Sequence, residues 1–237
     1  MKKLLFSALL LFCSVTIFAQ SAAKKSSLFI GLGPSFPIGD FGLKKASDEK
    51  AGLAATGFYV DLGYQYQFSK VVGAIVILKG KIHGIAKDAL NYTLPDGSGG
   101  SMSINTGTWK MGSVLAGLTQ TFALSKSENF AIEFREAAGV QFTSTPEVNA
   151  NYSIPGIGSS SGSQESQSAT SFAYLAGMAF KYQLNSNLGL KLYGDFNNSN
   201  VNFKGYTATA NGATITAPSS KQKTGTIDVG LGLTIGL

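Results

Sequence analysis

Apolar and polar residues alternate along most of this chain with a period of two, the spacing of side chains on one face of a β-strand. In the segment 58–68 the even positions are aromatic or aliphatic, whereas the odd positions are polar or small. The segment 227–237 repeats this pattern with the opposite parity. The alternation predicts eight strands, at 28–38, 58–68, 71–83, 109–124, 130–142, 172–184, 188–197 and 227–237.

The connections between these strands alternate between long and short. A membrane β-barrel has short turns on the periplasmic side and long loops outside, whereas a soluble sandwich has no reason to sort its loops this way. The pattern therefore predicts an all-β, antiparallel, up-and-down transmembrane barrel with periplasmic termini and four external loops. The short connections are 69–70, 125–128 and 185–187, and the long ones are 39–52, 84–105, 143–168 and 205–223.

Aromatic residues on the apolar face gather near both ends of the predicted strands, as they do at the two water interfaces of a membrane barrel. Eight residues separate Phe172 from Phe180, which is roughly 20 Å for a strand that rises ~3.4 Å per residue and tilts by about 40°. An ordinary hydrophobic core would not need aromatic residues sorted to both ends. Those at the long-loop ends are Phe36, Phe58, Phe142, Phe172, Tyr174 and Phe196, and those at the short-turn ends are Tyr64, Tyr66, Phe68, Phe122, Phe130, Phe180 and Tyr182.

Two of the predicted strands are less regular than the others. The segment 71–83 is apolar on both faces at its start, so only Lys79, Lys81 and His83 mark a polar side. The segment 109–124 changes parity near Ser113, which predicts a β-bulge at that point.

The polar face of the strands carries many glycines together with charged side chains. An eight-stranded barrel has an interior just wide enough for side chains, so small residues make room there for longer polar ones. Because unpaired buried charge would cost several kcal/mol per group, we expect the acids and bases to pair. Such a network could form a gate, a proton path or a catalytic cluster, or it could simply fill and brace the lumen. The predicted lumen network comprises Asp61, Lys79, Lys81, His83, Glu133, Arg135, Lys181, Lys191, Asp195 and Asp228.

The start of the chain has the features of an export signal. Two lysines precede an apolar stretch at 4–18, and Ala19 marks the expected cleavage region. This stretch is too short to span a membrane comfortably. We therefore expect residues 1–20 to be a signal peptide and residues 21–237 to form one barrel domain.

Composition narrows the possible functions. The one cysteine, Cys13, lies within the signal, so the processed chain is expected to have neither a disulfide nor a thiol nucleophile. The formal net charge is +6, but no Lys/Arg stripe with interleaved aromatic residues indicates nucleic-acid binding. The longest apolar run after the signal, 71–78, is far shorter than the ~20 residues of a membrane helix. Closing a sheet into a barrel in lipid is another way to remove the apolar surface from water, because every backbone group then finds a strand partner.

Patterns for catalysis or metal binding are scarce. His83 is the single histidine, and with a loop serine it could imitate a small lipid-modifying enzyme of the outer membrane. No serine lies in a nucleophile motif, however, and no acid is tied to His83 by spacing. One histidine also makes a transition-metal site unfavourable, and Asp48 and Asp96 lie in sequences more typical of turns than of calcium sites. We expect no enzymatic activity, no metal and no cofactor.

Several short motifs resemble those of the small outer-membrane β-barrel family, the porin-like or PorT-like domains. The resemblance extends from about Leu28 to the end of the chain and rests on GPSFPIGDF at 33–41, LAGL at 115–118, AAG at 137–139 and VGLGL at 229–233. These are structural motifs, so no active-site residue follows from them. The resemblance implies an eight-stranded barrel that the outer-membrane assembly machinery inserts.

These observations favour a monomeric integral outer-membrane protein with a filled lumen and a structural or loop-mediated role. Its expected partners are outer-membrane lipids, the assembly machinery and, through the external loops, envelope or surface proteins. The segments 93–103 and 153–170, rich in serine and glycine, are expected to be mobile, solvated loops. A narrow channel and a component of a secretion or assembly complex are the alternative functions.

Overall fold

The computed structural model describes residues 25–90, 101–125, 129–155, 158–210 and 213–237. The predicted signal peptide and Asp96 lie outside these ranges. In the described part of the chain, no helix has the length and apolar character needed to cross a membrane.

The described residues form β-strands and two short 3₁₀ turns, Gly39–Gly42 and Lys87–Leu90. The strands are β1 (Ser26–Ile38), β2 (Gly57–Gln67), β3 (Val72–His83), β4 (Ser101–Thr106), β5 (Trp109–Ala123), β6 (Phe130–Ser144), β7 (Val148–Ile154), β8 (Gly158–Gln164), β9 (Ser168–Gln183), β10 (Leu188–Phe203), β11 (Tyr206–Ala210), β12 (Ala213–Ala217), β13 (Ser220–Lys223) and β14 (Gly225–Gly236).

Eight of these strands close into an antiparallel barrel. Around the barrel the order is β1, β2, β3, β5, β6, β9, β10 and β14, and β14 pairs back with β1. Each barrel strand therefore has a neighbour on both sides, and β13 continues β14 along the edge of β10. This arrangement confirms the predicted eight-stranded up-and-down barrel, strand by strand.

The two faces of each barrel strand have different surroundings. In β2 the exposure alternates residue by residue, with Tyr59 and Asp61 buried in the interior and Val60 and Leu62 exposed outside. In β3 the inward face begins with Ile75 and Ile77 and continues with charged residues. Both faces of β3 are thus apolar at its start because the lumen itself is partly apolar there.

The predicted β-bulge near Ser113 is wrong. β5 keeps one register with β3 from Trp109 to Gln120 and one register with β6 from Lys110 to Ala123. Trp109 and Met111 both point inward, where they pack among other apolar side chains at the barrel mouth. The sequence pattern changes because the inward surroundings change, while the strand keeps its parity.

A second, five-stranded sheet, with the order β12, β11, β8, β7 and β4, occupies the long connections. The segment 153–170, which the sequence predicts to be a mobile, solvated loop, therefore contains the strand β8, which pairs with β7 and β11. In sequence β4 leads into β5, β7 follows β6 and β8 leads into β9. The extended conformation persists because each strand continues beside a partner that the barrel has already placed next to it.

One inward glycine tests the tight packing of the lumen. A Cβ added at Gly63 would overlap the ring of Phe29. We expect Gly63→Leu to lower the free energy of unfolding by about 1–3 kcal/mol through overpacking, measured by urea unfolding in lipid vesicles. Gly194→Leu is the matched control, because a Cβ there meets almost nothing. Equal stabilities of the two variants would contradict the packed lumen.

Candidate functional site: the filled lumen

Lys79 joins three walls of the barrel through its ammonium group. Its Nζ lies 2.7 Å from Asp195 Oδ2 on β10, 3.0 Å from Asp228 Oδ2 on β14 and 3.7 Å from Asp61 Oδ2 on β2. All four side chains are fully buried. One cation on β3 thus connects its neighbour β2 with β10 and β14, which do not pair with β3.

Arg135 on β6 adds a second cation to the same group of acids. Its Nε and Nη2 donate to the two carboxylate oxygens of Asp195, at 2.8 and 2.6 Å, in the paired geometry that makes Arg–carboxylate contacts strong. The guanidinium also lies over the ring of Tyr193, with its Cζ 4.2 Å from the ring centroid. Asp195 is therefore held from two sides.

Asp228 and Asp61 gain their remaining partners from polar side chains around the lumen. Lys81 Nζ lies 3.0 Å from Asp228, and Ser35 and Asn197 donate to the same carboxylate. The Tyr193 hydroxyl donates to Asp61 Oδ1 at 2.7 Å. We call this group the central charge cluster: it consists of Asp61, Lys79, Lys81, Arg135, Asp195 and Asp228, and its three acids balance its three bases.

Glu133, Lys181 and Lys191 form a turn-end charge cluster. Glu133 Oε1 lies 2.7 Å from Lys191 Nζ, and Oε2 lies 3.1 Å from Lys181 Nζ. Gln65 also donates to Glu133 and to the Thr119 hydroxyl. Glu133 and Lys191 are fully buried, whereas the Lys181 side chain is 20% exposed. This cluster fills the lumen near its turn-end opening.

Apolar side chains occupy the space beside the two charge clusters. Phe29 lies between them, with Lys191 Nζ 4.5 Å and Arg135 Cζ 5.7 Å from its ring centroid. Such contacts place cations over the electron-rich face of an aromatic ring. The buried apolar group consists of Phe29, Ile75, Ile77, Leu115, Ala137, Ala173 and Leu175.

The first long connection folds into the barrel at the loop end. Phe41 is fully buried, with its ring centroid 5.4 Å from that of Trp109, and Trp109 Nε1 donates to Gly52 O at 3.0 Å. Backbone bonds hold this segment in place, including Gly52 N to Asp40 O at 2.8 Å and Ala54 N to Phe41 O at 3.0 Å. We call this group the mouth plug: Phe41, Ala54, Trp109, Met111, Val201 and Phe203.

His83 belongs with the mouth plug and stands apart from the ion pairs. Its Nδ1 lies 3.0 Å from Ala55 O, and its ring meets the ring of Phe41 edge-on at 5.2 Å. Among its described contacts there is no carboxylate and no serine hydroxyl. The described residues also contain no group of three potential metal-ligating side chains.

The structure thus places all ten predicted network residues inside the barrel, nine of them in ion pairs and His83 against Phe41 of the mouth plug. Sequence reasoning missed the plug, because nothing in the local pattern shows that Phe41 turns back into the lumen. It also missed Tyr193 and Ser35 as partners of the acids. Their positions on the polar face of predicted strands were the available signal.

No protein-family model matches the chain, and no curated protein sequence is significantly similar to it. Solved structures of outer-membrane barrels are similar to it at low identity. Ail of Yersinia pestis is 18% identical, with 90% of this chain and 99% of that chain covered and a TM-score of 0.43. Neisserial surface protein A is 12% identical, with 92% of this chain and 100% of that chain covered and a TM-score of 0.44. OprG of Pseudomonas aeruginosa is 11% identical, with 91% of this chain and 98% of that chain covered and a TM-score of 0.42. Identities and scores this low say nothing about what this chain does.

Removing the central cation tests the coupling of the lumen charges. We expect Lys79→Met to lower the free energy of unfolding by about 3–5 kcal/mol, because it leaves buried carboxylates short of a partner. Lys223→Met is the control, since Lys223 pairs with Asp40 at 3.6 Å but its side chain is 64% exposed, and such pairs contribute about 1 kcal/mol or less. Urea unfolding in lipid vesicles measures both. Similar losses in the two variants would contradict a coupled cluster.

Proposed function

We propose that the chain is a monomeric integral outer-membrane protein with a closed lumen, which acts structurally or through its external segments. The support comes first from its exterior, where large apolar side chains stay exposed on every barrel strand. Leu32, Leu78 and Leu231 are 54%, 50% and 66% exposed, respectively. Soluble monomers rarely expose such a continuous apolar surface. Hydrocarbon would cover it, while the closed sheet satisfies the backbone groups.

Aromatic contacts on the outer surface support two interfacial belts. Near the short turns, Phe130 packs against Tyr182 with ring centroids 4.6 Å apart. Near the long connections, Tyr174 and Phe196 lie 6.0 Å apart, and the Tyr174 hydroxyl accepts a hydrogen bond from Asn198. A tyrosine such as Tyr174, whose hydroxyl has a polar partner and whose ring has apolar neighbours, suits the boundary between lipid and water.

Leu237 and Ser26, near the two ends of the described chain, lie together at the short-turn end, where Leu237 N donates to Ser26 O at 2.9 Å. In the proposed orientation this end faces the periplasm and the five-stranded sheet lies outside the cell. That sheet carries mostly serine, threonine and asparagine on β4, β7 and β8. It is the surface through which the protein would meet envelope or surface partners.

The buried side chains inside the barrel are the observation that supports the non-porin proposal. They comprise the two charge clusters, the buried apolar group beside them and the mouth plug. A solute would have to displace buried ion pairs, which costs several kcal/mol for each charge left without a partner. Bracing of the barrel is therefore better supported than transport.

Electrical recording tests this proposal. Purified protein in planar bilayers should give no steady conductance, after its insertion has been verified by a shift in gel migration between unboiled and boiled samples. A steady conductance that changes in Lys79→Met or Asp61→Asn would establish the alternative, a narrow channel. Protein that stays compact and monodisperse in water without detergent would overturn membrane insertion itself.

A role as a component of an envelope complex is the second candidate, and Glu136 favours it. This residue is exposed on the outer surface of β6, six residues from Phe130 and six from Phe142. Its cross-strand neighbours are Leu118 and Ala176, and no described residue pairs with its carboxylate. A carboxylate at the middle of the apolar band is costly, and such residues usually serve a membrane-embedded contact.

Replacing Glu136 tests that role. For the isolated barrel we expect Glu136→Leu to raise the free energy of unfolding by about 1 kcal/mol, because it removes a carboxylate from hydrocarbon depth. Glu165→Leu, in the exposed connection between β8 and β9, should leave stability unchanged. If Glu136 serves a complex, its loss should also abolish co-purification with envelope proteins. A destabilised Glu136→Leu variant would contradict a lipid-facing carboxylate.

A further inference from the structure

A groove cuts into the outer surface of the barrel near the loop ends of β3 and β5. Gly80 and Gly112 lie directly opposite each other across these strands. A Cβ added at either position would meet no atom within 4 Å, so the two glycines form an open floor. The cavity above them has a volume of about 610 Å³.

The sides of this groove are apolar. Phe58 and Val60 on β2 form one side, and Phe142 on β6 forms the other. Ile82 lies beyond Gly80 towards the loop end. All four side chains are exposed on the outer surface of the barrel.

The loop end of the groove is polar and carries a cation. Lys110 lies opposite Ile82 and Ser144 in the sheet register, and its side chain is exposed. Ser144 Oγ and Ser168 Oγ lie 2.7 Å apart beside it, and Thr170 completes this edge. Among the described residues, no carboxylate pairs with Lys110.

We propose that this groove is a binding site for one anionic, phosphate-bearing lipid of the surrounding leaflet. An acyl chain lies over Gly80 and Gly112 between the aromatic walls, while the phosphate meets Lys110 and the hydroxyls of Ser144 and Ser168. The inference rests on the proposed membrane insertion and adds a specific lipid site to it. The order of groups along the groove, with the cation at the loop end and apolar walls below, is the order of groups along such a lipid.

Charge complementarity selects this occupant over a neutral lipid. A diacylglycerol would fill the space between the same apolar sides but would leave Lys110 without an anion. Inorganic phosphate satisfies Lys110 but makes no use of the glycine floor. Only a ligand in which an acyl chain and a phosphate are covalently linked contacts both the apolar sides and the polar loop end of the groove.

Native mass spectrometry of the detergent-solubilised full chain tests this site with three probes: phosphatidic acid, a diacylglycerol with identical acyl chains, and inorganic phosphate. We expect phosphatidic acid to bind at least tenfold more tightly than the diacylglycerol, and inorganic phosphate not to bind. Lys110→Gln should remove the preference for phosphatidic acid. Gly112→Leu, which fills the floor with a side chain like those around it, should weaken phosphatidic acid and diacylglycerol alike by at least tenfold.

Two control variants match these changes elsewhere on the barrel. Lys204→Gln removes an exposed charge at the end of β10, and Gly194→Leu fills an outward glycine on the opposite wall. Both should bind like the unaltered protein. Equal binding of the two lipids, or retention of the preference in Lys110→Gln, would overturn the site. Every variant is first checked for the gel-migration shift of a folded barrel. Loss of lipid binding in a folded, inserted barrel counts against the lipid site alone. Failure of the protein to insert counts against the proposed function.

Discussion

Closure of the sheet is the constraint from which the other features of this protein follow. Because β14 pairs with β1 and β10 pairs with both β9 and β14, each barrel strand has two partners and no backbone edge is left open. Every side chain of a closed strand must then point either outward or into a narrow interior. Charged residues buried on the inward face cannot reach solvent and therefore pair with one another, because an eight-stranded interior is narrow enough for their side chains to meet. Lys79 reaches acids on β2, β10 and β14 for this reason.

The charges in turn specify how the strands pair. A buried ion pair adds little net stability, since the desolvation of both partners offsets most of their attraction. A buried ion pair has a larger effect on the register in which neighbouring strands align. A slip of β3 by one residue would carry Lys79 to the outer face and leave Asp195 and Asp228 each short of a cation. Backbone pairing thus holds the barrel closed, while the central charge cluster excludes the wrong alignments of its strands.

The period of two was enough to predict the eight strands and the face of each lumen charge, because those properties depend on one strand at a time. The partners of each charge could not be predicted, since they depend on the stagger between strands that are far apart in sequence, such as Arg135 and Asp195. The inward apolar residues Trp109 and Met111 led to the wrong prediction of a bulge, because an alternating pattern does not distinguish an apolar lumen from an apolar exterior. The strand β8, GSSSGSQ, has a composition typical of a loop and depends on its pairing with β7. The mouth plug has the same non-local origin, as Phe41 is buried by side chains from β5 and β10.

The outer surface of the barrel is unequal around its circumference. A uniformly apolar exterior would have neither a carboxylate halfway along β6 nor two facing glycines on β3 and β5. Glu136 and Gly112 lie on adjacent strands, and the same two strands continue outside the barrel as β7 and β4. The exposed carboxylate, the facing glycines and the second sheet therefore coincide on one side of the barrel. Under the proposed function, this β5–β6 side is the part of the outer surface with the most chemistry for contact with lipid or protein.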